Sequence, residues 1–441
     1  MPGLPGPKLV TELPGPKARA VLEESRAFEP HCMSDQQPLV WDSAEDVWIT
    51  DVDGNVFLDF SSGVLVTNIG HCHPRYVEAI REQAGKLYNC YDFPSAPRTR
   101  LARKLVEMSA PQFAKAFVVT TGSEAVEAAI KMTRRATGRY ELLGFGGAFH
   151  GRTYGAMSVG GNESVRKGFG PVMPGVIRAP YPYCYRCPLG HEPEGCSMAC
   201  IDHLDYAVKT QGAGQLGAVI TESYQGGAGS IIPPPGWYER LEEWRRDRGL
   251  ALIFDEVQSS FGRTGAMFAY EHWGIEPDAV TLGKGLSSGV PCAAVLVTEQ
   301  LVSGLSPGEL SSTAGGNPLS SAAALASIDI IESENLVQNA AARGPEMAEG
   351  LHAMVATSPR LGDVRGMGLV WGLEMVEDRA SKTPCPAAAT RVVAEAFRRG
   401  LALIAPIGLY GNVVRIAPPL TITREALAVG IEVLAEAVSM A

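Results

Sequence analysis

Lysine is scarce in this 441-residue chain: ten of its 38 basic residues are lysines, and between Lys209 and Lys382 there is a single one, Lys284. A surface solvated by arginine has no need of that residue, so its position asks for another reason. Long apolar runs are missing too. The most hydrophobic C-terminal stretch, Leu401 to Leu420, is broken by Pro406, Gly408, Gly411, Asn412 and Arg415, which leaves no window of about 18 apolar residues to cross a bilayer. The N-terminus has neither the basic start nor the apolar core of a secretory signal, so the expected location is the cytoplasm. Positive charge is not in excess either: a net charge of −10 argues against a nucleic-acid partner, which needs basic side chains to displace counterions from phosphate. Nine cysteines, an odd number, fit a reducing compartment better than a disulfide framework.

What remains is ordinary globular material. With 46% apolar and 20% charged residues the chain can bury a large core, and its length allows two or three domains. The motif LPGPK occurs at Leu4 to Lys8 and again at Leu13 to Lys17, and residues 1 to 20 are expected to form an extended arm or a frayed end. WITDVDGNVFLDF from Trp48 predicts a hairpin about Asp53-Gly54-Asn55. Beyond residue 100, β-rich runs (AFVVTT, GAVITES, LALIFDE, DAVTLG) alternate with helical ones, as in a mostly parallel sheet covered on both faces. Ligands in such sheets sit at the carboxyl ends of the strands.

Three constellations fall at those ends. Thr121-Gly122-Ser123-Glu124 has the form of a capping box, and a glycine and a hydroxyl at a helix N-terminus can also cradle phosphate. Asp255 ends the apolar run LALIF, where a carboxylate must be paired or hydrogen-bonded. Lys284 lies between Gly283 and Gly285, with no other charge for five residues on either side, as expected of a semi-buried nucleophilic amine. Each has a bland reading alone: a cap, a structural ion pair, a solvated loop lysine. Together they supply a phosphate anchor, a partner for a pyridinium nitrogen and a Schiff-base lysine, the parts needed to hold pyridoxal phosphate.

At these residues the chain resembles the class III pyridoxal-phosphate aminotransferases, the fold type I group that contains 4-aminobutyrate and ornithine aminotransferases. The motifs are DEVQSSFGRTG from Asp255, TLGKGL around Lys284, and DVDGNVFLDFSSG, NIGHCHP, TGSEAVEAAIKMTR, GAFHGRT, STAGGNP, VRGMGL and VRIAPPL, in order from about residue 50 to 420. The resemblance implies an α/β fold type I enzyme: an N-terminal arm and part of the small domain in 1–60, a large cofactor domain in 61–325 and a C-terminal α+β small domain in 326–441. It implies that Lys284 forms the Schiff base and carries the proton, that Asp255 pairs with the pyridinium N–H, and that Gln258 bonds the 3′ oxygen. Gly122 and Ser123 would take the phosphate, Phe149 would stack on the ring, and His150 and Glu222 would complete the cofactor site. Thr313 would serve the phosphate site of a neighbouring subunit, so a homodimer or larger homo-oligomer is implied. Substrates would be an amino donor and a 2-oxo acid, held by Arg152, Arg415 and Val64.

One departure bears on substrate. Many ω-aminotransferases carry a glutamate five residues after the position of Glu222, where it neutralises the arginine matched by Arg415; here that residue is Gly227. This favours donors that place a carboxylate beside the reacting carbon, and keeps racemisation or decarboxylating transamination open as alternatives. Cys184, Cys187, Cys196 and Cys200 form C-x₂-C-x₈-C-x₃-C, and the first pair resembles a zinc-knuckle start, but no metal is assigned. Gly285-Leu286-Ser287-Ser288-Gly289 matches a hydrolase elbow only in letters, because the strand-like VPCAAVLV follows where a helix is required.

Overall fold

The computed structural model describes residues 6–441, and the start of the first LPGPK motif lies outside them. The fold is α/β. The described chain divides into two compact units, one made of the residues up to Pro74 with Gly262–Gly265 and Ile331–Ala441, the other of Arg75–Phe261 and Ala266–Ile330.

The second unit is built on a seven-stranded sheet. Its strands run in the spatial order Phe113–Val119, Ala293–Thr298, Ala279–Leu282, Ala251–Asp255, Leu216–Glu222, Glu141–Phe145, Val176–Ala179. All neighbouring pairs are parallel except those of Ala293–Thr298, which is antiparallel to both its neighbours. The central strands are fully buried because helices cover both faces, which is why they read as unbroken apolar runs. Helix Gly122–Thr137 supplies much of that cover. Its Ala125, Val126, Ala129 and Ile130 pack with Leu142, Ile220, Ile253 and Val295, each large aliphatic group contributing about 1.5–3 kcal/mol by leaving water. The helix stops where Gly138 takes the left-handed conformation at φ 66°. Register sets the chemistry: Glu222 lies opposite Asp255 and Asp255 opposite Thr281, so three polar side chains share one rung at the carboxyl ends of adjacent strands.

In the first unit the predicted hairpin is present, Trp48–Asp51 pairing antiparallel with Val56–Asp59 across a turn in which Gly54 has φ 89°. A four-stranded sheet adds Trp41–Glu45 and Leu401–Ala402, and a separate antiparallel sheet joins Leu361–Met367, Val370–Met375 and Val413–Ile416. The arm expected over residues 1–20 is extended only in part. Lys8 bridges to Val56, and the Asn55 side chain accepts from Val10 N and Thr11 N. From Pro16, however, the chain is helical through Phe28. Proline is tolerated at that first position, where its missing N–H would have no acceptor. The cap comes from far along the chain: Gly15 offers no side chain, and Asp53 in the hairpin turn accepts from Lys17 N at 2.9 Å and Ala18 N at 2.8 Å. Asp53→Ala is expected to cost about 1 kcal/mol, the usual worth of an N-cap, read as a lower urea midpoint at unchanged slope.

Among the described residues, no helix is long and apolar enough to cross a membrane.

Candidate active site

Helix Gly122–Thr137 begins directly after the strand Phe113–Val119, and the hydroxyl of Thr121 accepts from Glu124 N at 3.2 Å. The Glu124 carboxylate reaches back one residue further than in a capping box, accepting from Thr120 N at 2.8 Å, and also takes the Ser312 hydroxyl at 2.5 Å. A helix leaves its first amides without intrahelical acceptors; here they belong to Gly122 and Ser123, which line a cavity of about 280 Å³. Gly122 is required by packing, since a Cβ there would lie 2.8 Å from Val257 Cγ1.

Asp255 forms the back of that cavity and is 6% exposed. Its Oδ1 accepts from Val257 N and Thr281 Oγ1, both at 3.0 Å, and its Oδ2 lies 2.8 Å from His150 Nδ1. Burial disfavours the imidazolium of His150, but the hydrogen bond to Asp255 and the charges of Asp255 and Glu222 outweigh it and raise its pKa. Glu222 is also buried, and desolvation pushes its pKa up to about 7 although it accepts from Phe149 N at 2.9 Å and Gly226 N at 3.0 Å. Two ends of this network have no hydrogen-bond partner among the described residues: Gln258 Oε1 and His150 Nε2, both buried. Gly226 makes room for the Gln258 amide, because a Cβ there would come within 2.0 Å of its oxygen.

Lys284 lines the same cavity, half-buried, at the start of a single 3₁₀ turn that follows the strand Ala279–Leu282. Its φ is 46°, a left-handed value that costs a lysine energy and marks a constrained position. Phe149 and Arg152 complete the wall, with the exposed Arg152 guanidinium 5.7 Å from the centre of the Phe149 ring.

Gly122, Ser123, Phe149, His150, Arg152, Glu222, Asp255, Gln258 and Lys284 therefore line one cavity. Val64, Thr313 and Arg415 are not among its lining residues. Val64 is 38% exposed at φ 68°, Thr313 is exposed, and Arg415 is buried on the strand Val413–Ile416 opposite Gly372. Thr281 and Val257 escaped the sequence reading. The signal for Thr281 was a lone hydroxyl in the apolar run DAVTLG, whereas nothing local marks Val257 as a spacer. The four clustered cysteines are free thiols around a second cavity of about 210 Å³, where burial raises the pKa values of Cys184 and Cys200. Among the described residues, no three His, Cys, Asp or Glu side chains are assembled to hold a metal ion.

A mostly parallel sheet with a helix N-terminus, a strand-end aspartate and a lysine meeting at its carboxyl edge defines a fold type I transferase, and comparison with known proteins agrees. The family described as aminotransferase class-III matches residues 32–438. The chain is 37% identical to the 4-aminobutyrate aminotransferase of Escherichia coli K12 over 90% of its own length and 93% of that protein's. It is 35% identical to the alanine/serine racemase of Pyrococcus horikoshii, over 98% of this chain and 92% of that one. An amine transaminase from an uncultivated Pseudomonas species, solved in its PLP-bound form, superposes with a TM-score of 0.87 at 32% identity, covering 94% of this chain and 96% of that one. The chain belongs to the class III aminotransferases, and its reaction is the PLP-dependent transfer of an amino group between an amino acid and a 2-oxo acid.

Proposed function

We propose that the cavity around Lys284 binds pyridoxal 5′-phosphate and that its residues act as follows. The carrying observation is the convergence, in one cavity of about 280 Å³, of a helix N-terminus, the buried Asp255–His150 pair and Lys284. The Gln258 amide oxygen, unpartnered among the described residues, can accept from a ring hydroxyl, and the helix N-terminus at Gly122 and Ser123 suits a phosphate. When bound, the cofactor supplies an electron-withdrawing ring that takes up the electron pair of the breaking bond beside the substrate nitrogen.

The chain's residues do the rest. Amides of Gly122 and Ser123 hold the phosphate, Phe149 covers the ring face, and Gln258 orients the ring. Asp255 holds a proton on the ring nitrogen, and its three partners keep its carboxylate turned to that task. Glu222 fixes Phe149 and Gly226 through their amides. Lys284 Nζ removes the proton from the carbon beside the substrate amine and returns it. Arg152 and Arg415 hold carboxylates by two-pronged hydrogen bonds, and Val64 borders the substrate. The working unit is a cytoplasmic homodimer in which Thr313 serves the partner's phosphate site.

A second reading, racemisation, has its own support. The alanine/serine racemase relative spans nearly the whole chain. Gly227 also provides no carboxylate beside the ring, and a Cβ there would stand 3.1 Å from Phe149 Cβ. The two readings differ in where Lys284 returns the proton. A panel of α- and ω-amino donors with 2-oxoglutarate or pyruvate, followed both by amino transfer to the acceptor and by loss of optical rotation, separates them. α-Amino donors, which yield keto acids, are expected to transfer their amino group faster than 4-aminobutyrate, which yields an aldehyde. Loss of rotation without keto acid would replace transamination by racemisation, and a preference for 4-aminobutyrate over every α-amino acid would remove the role assigned to Gly227.

A further inference from the structure

The segment Phe149–Ala156 carries Arg152 and is fastened at nearly every residue. Phe149 N donates to Glu222, His150 is bonded to Asp255, and Arg152 N donates to Ser123 Oγ at 3.1 Å. Beyond Arg152 one oxygen holds the chain: Glu127 Oε1 accepts from Thr153 Oγ1 at 2.5 Å, Gly155 N at 2.8 Å and Ala156 N at 3.0 Å. Ser123 and Glu127 are four residues apart on one helix and therefore share a face. The fit is close: a Cβ on Gly151 would meet Ser123 Oγ at 2.3 Å, and one on Gly155 would meet Glu127 Oε2 at 2.1 Å. The Arg152 guanidinium, by contrast, has no carboxylate partner among the described residues and rests only on the Phe149 face. Its location is thus set by the backbone beneath it.

We infer that Glu127 is a positioning residue for Arg152: by clamping residues 153–156 to the helix whose first turn faces the cavity, it sets how tightly a substrate carboxylate is held. Glu127 lies outside the cavity lining and acts through the backbone of Gly155 and Ala156 and the Thr153 hydroxyl. The inference rests on the reading of Arg152 as a carboxylate fork. Small displacements matter for such a fork, because a shift of about 1 Å in a positioning group can cost on the order of 100-fold.

The test uses the holoenzyme and glutarate, a dicarboxylate without a reacting amine, with Kd measured by calorimetry; KM and kcat are also measured for the best donor from the panel. Glu127→Ala is expected to weaken glutarate about 10-fold and to raise KM while kcat stays within about 2-fold. Glu127→Gln, which keeps an acceptor oxygen, should restore most of the affinity. Arg152→Met should weaken glutarate at least as much, and adding Glu127→Ala to it should weaken binding no further, since both changes remove one interaction. If Glu127→Ala does not fold, Thr153→Val takes its place, with a smaller loss that likewise vanishes in the Arg152→Met background. Unchanged glutarate affinity in Arg152→Met would overturn the fork itself. A loss in Arg152→Met without one in Glu127→Ala, effects that multiply in the double variant, or a fall in kcat beyond about 2-fold for that donor would leave the fork standing and overturn the positioning role.

Discussion

Lys284→Ala is expected to lower turnover by at least about 1000-fold, the range for removing a group that moves the reacting proton, while leaving the fold and non-covalent cofactor binding in place. Asp255 is held by Val257 N, Thr281 and His150, and the helix start at Gly122 by the Thr121 cap. The backbone loses nothing, because alanine can also occupy φ 46° at a similar cost. Two measurements check the outcome. Turnover of the best donor should nearly vanish, and borohydride should no longer fix cofactor to the protein through denaturing filtration, although the same filtration under native conditions retains it. Turnover within about 10-fold of wild type, in a preparation free of wild-type enzyme, would remove Lys284 from its role.

Asp255→Asn is expected to lower kcat by about 100- to 1000-fold, the scale on which a preorganised electrostatic partner acts. The change is nearly isosteric, so the pocket should persist. What it removes is the charge proposed to keep a proton on the ring nitrogen, and with it the partner that raises the pKa of His150. Asparagine also carries an NH₂ in place of one oxygen: set at Oδ2 it faces His150 Nδ1, and set at Oδ1 it faces Val257 N–H and the Thr281 hydroxyl, so at least one of the three hydrogen bonds must break or turn over. Cofactor affinity should fall much less than kcat. A variant that lost cofactor and kcat in proportion would show Asp255 to be an anchor only.

Much of the sheet was legible because its strands are covered on both faces. Val219, Ile253 and Val280 lie in unbroken β-rich runs, and their alternation with helical ones announced a mostly parallel sheet. The position of Lys284 stood out for an equally simple reason, its isolation from other charge. Long-range hydrogen bonding was not legible. No local pattern announces that Asp53 caps a helix starting at Pro16, and the double LPGPK motif read as extended because proline and glycine disfavour helix interiors, whereas Pro16 occupies a helix start. For the same reason Thr281 went unseen beside Asp255, since cross-strand register puts them together. Glu127 looked like one more acidic residue on an amphipathic helix until the residues it holds were visible.

The antiparallel strand Ala293–Thr298 has a consequence for the order in which the protein is made. The strand Phe113–Val119, which leads into helix Gly122–Thr137, lies at the sheet edge and, among the described residues, pairs with Ala293–Thr298 alone. Its partner is synthesised long after it. At about 5–20 residues per second the nascent chain carries this β-rich segment without its neighbour for roughly 9 to 35 seconds. Unpaired strands are templates for association with other chains, so assembly of the cofactor site waits on a late segment, and the interval before it is the one in which a chaperone would be most needed.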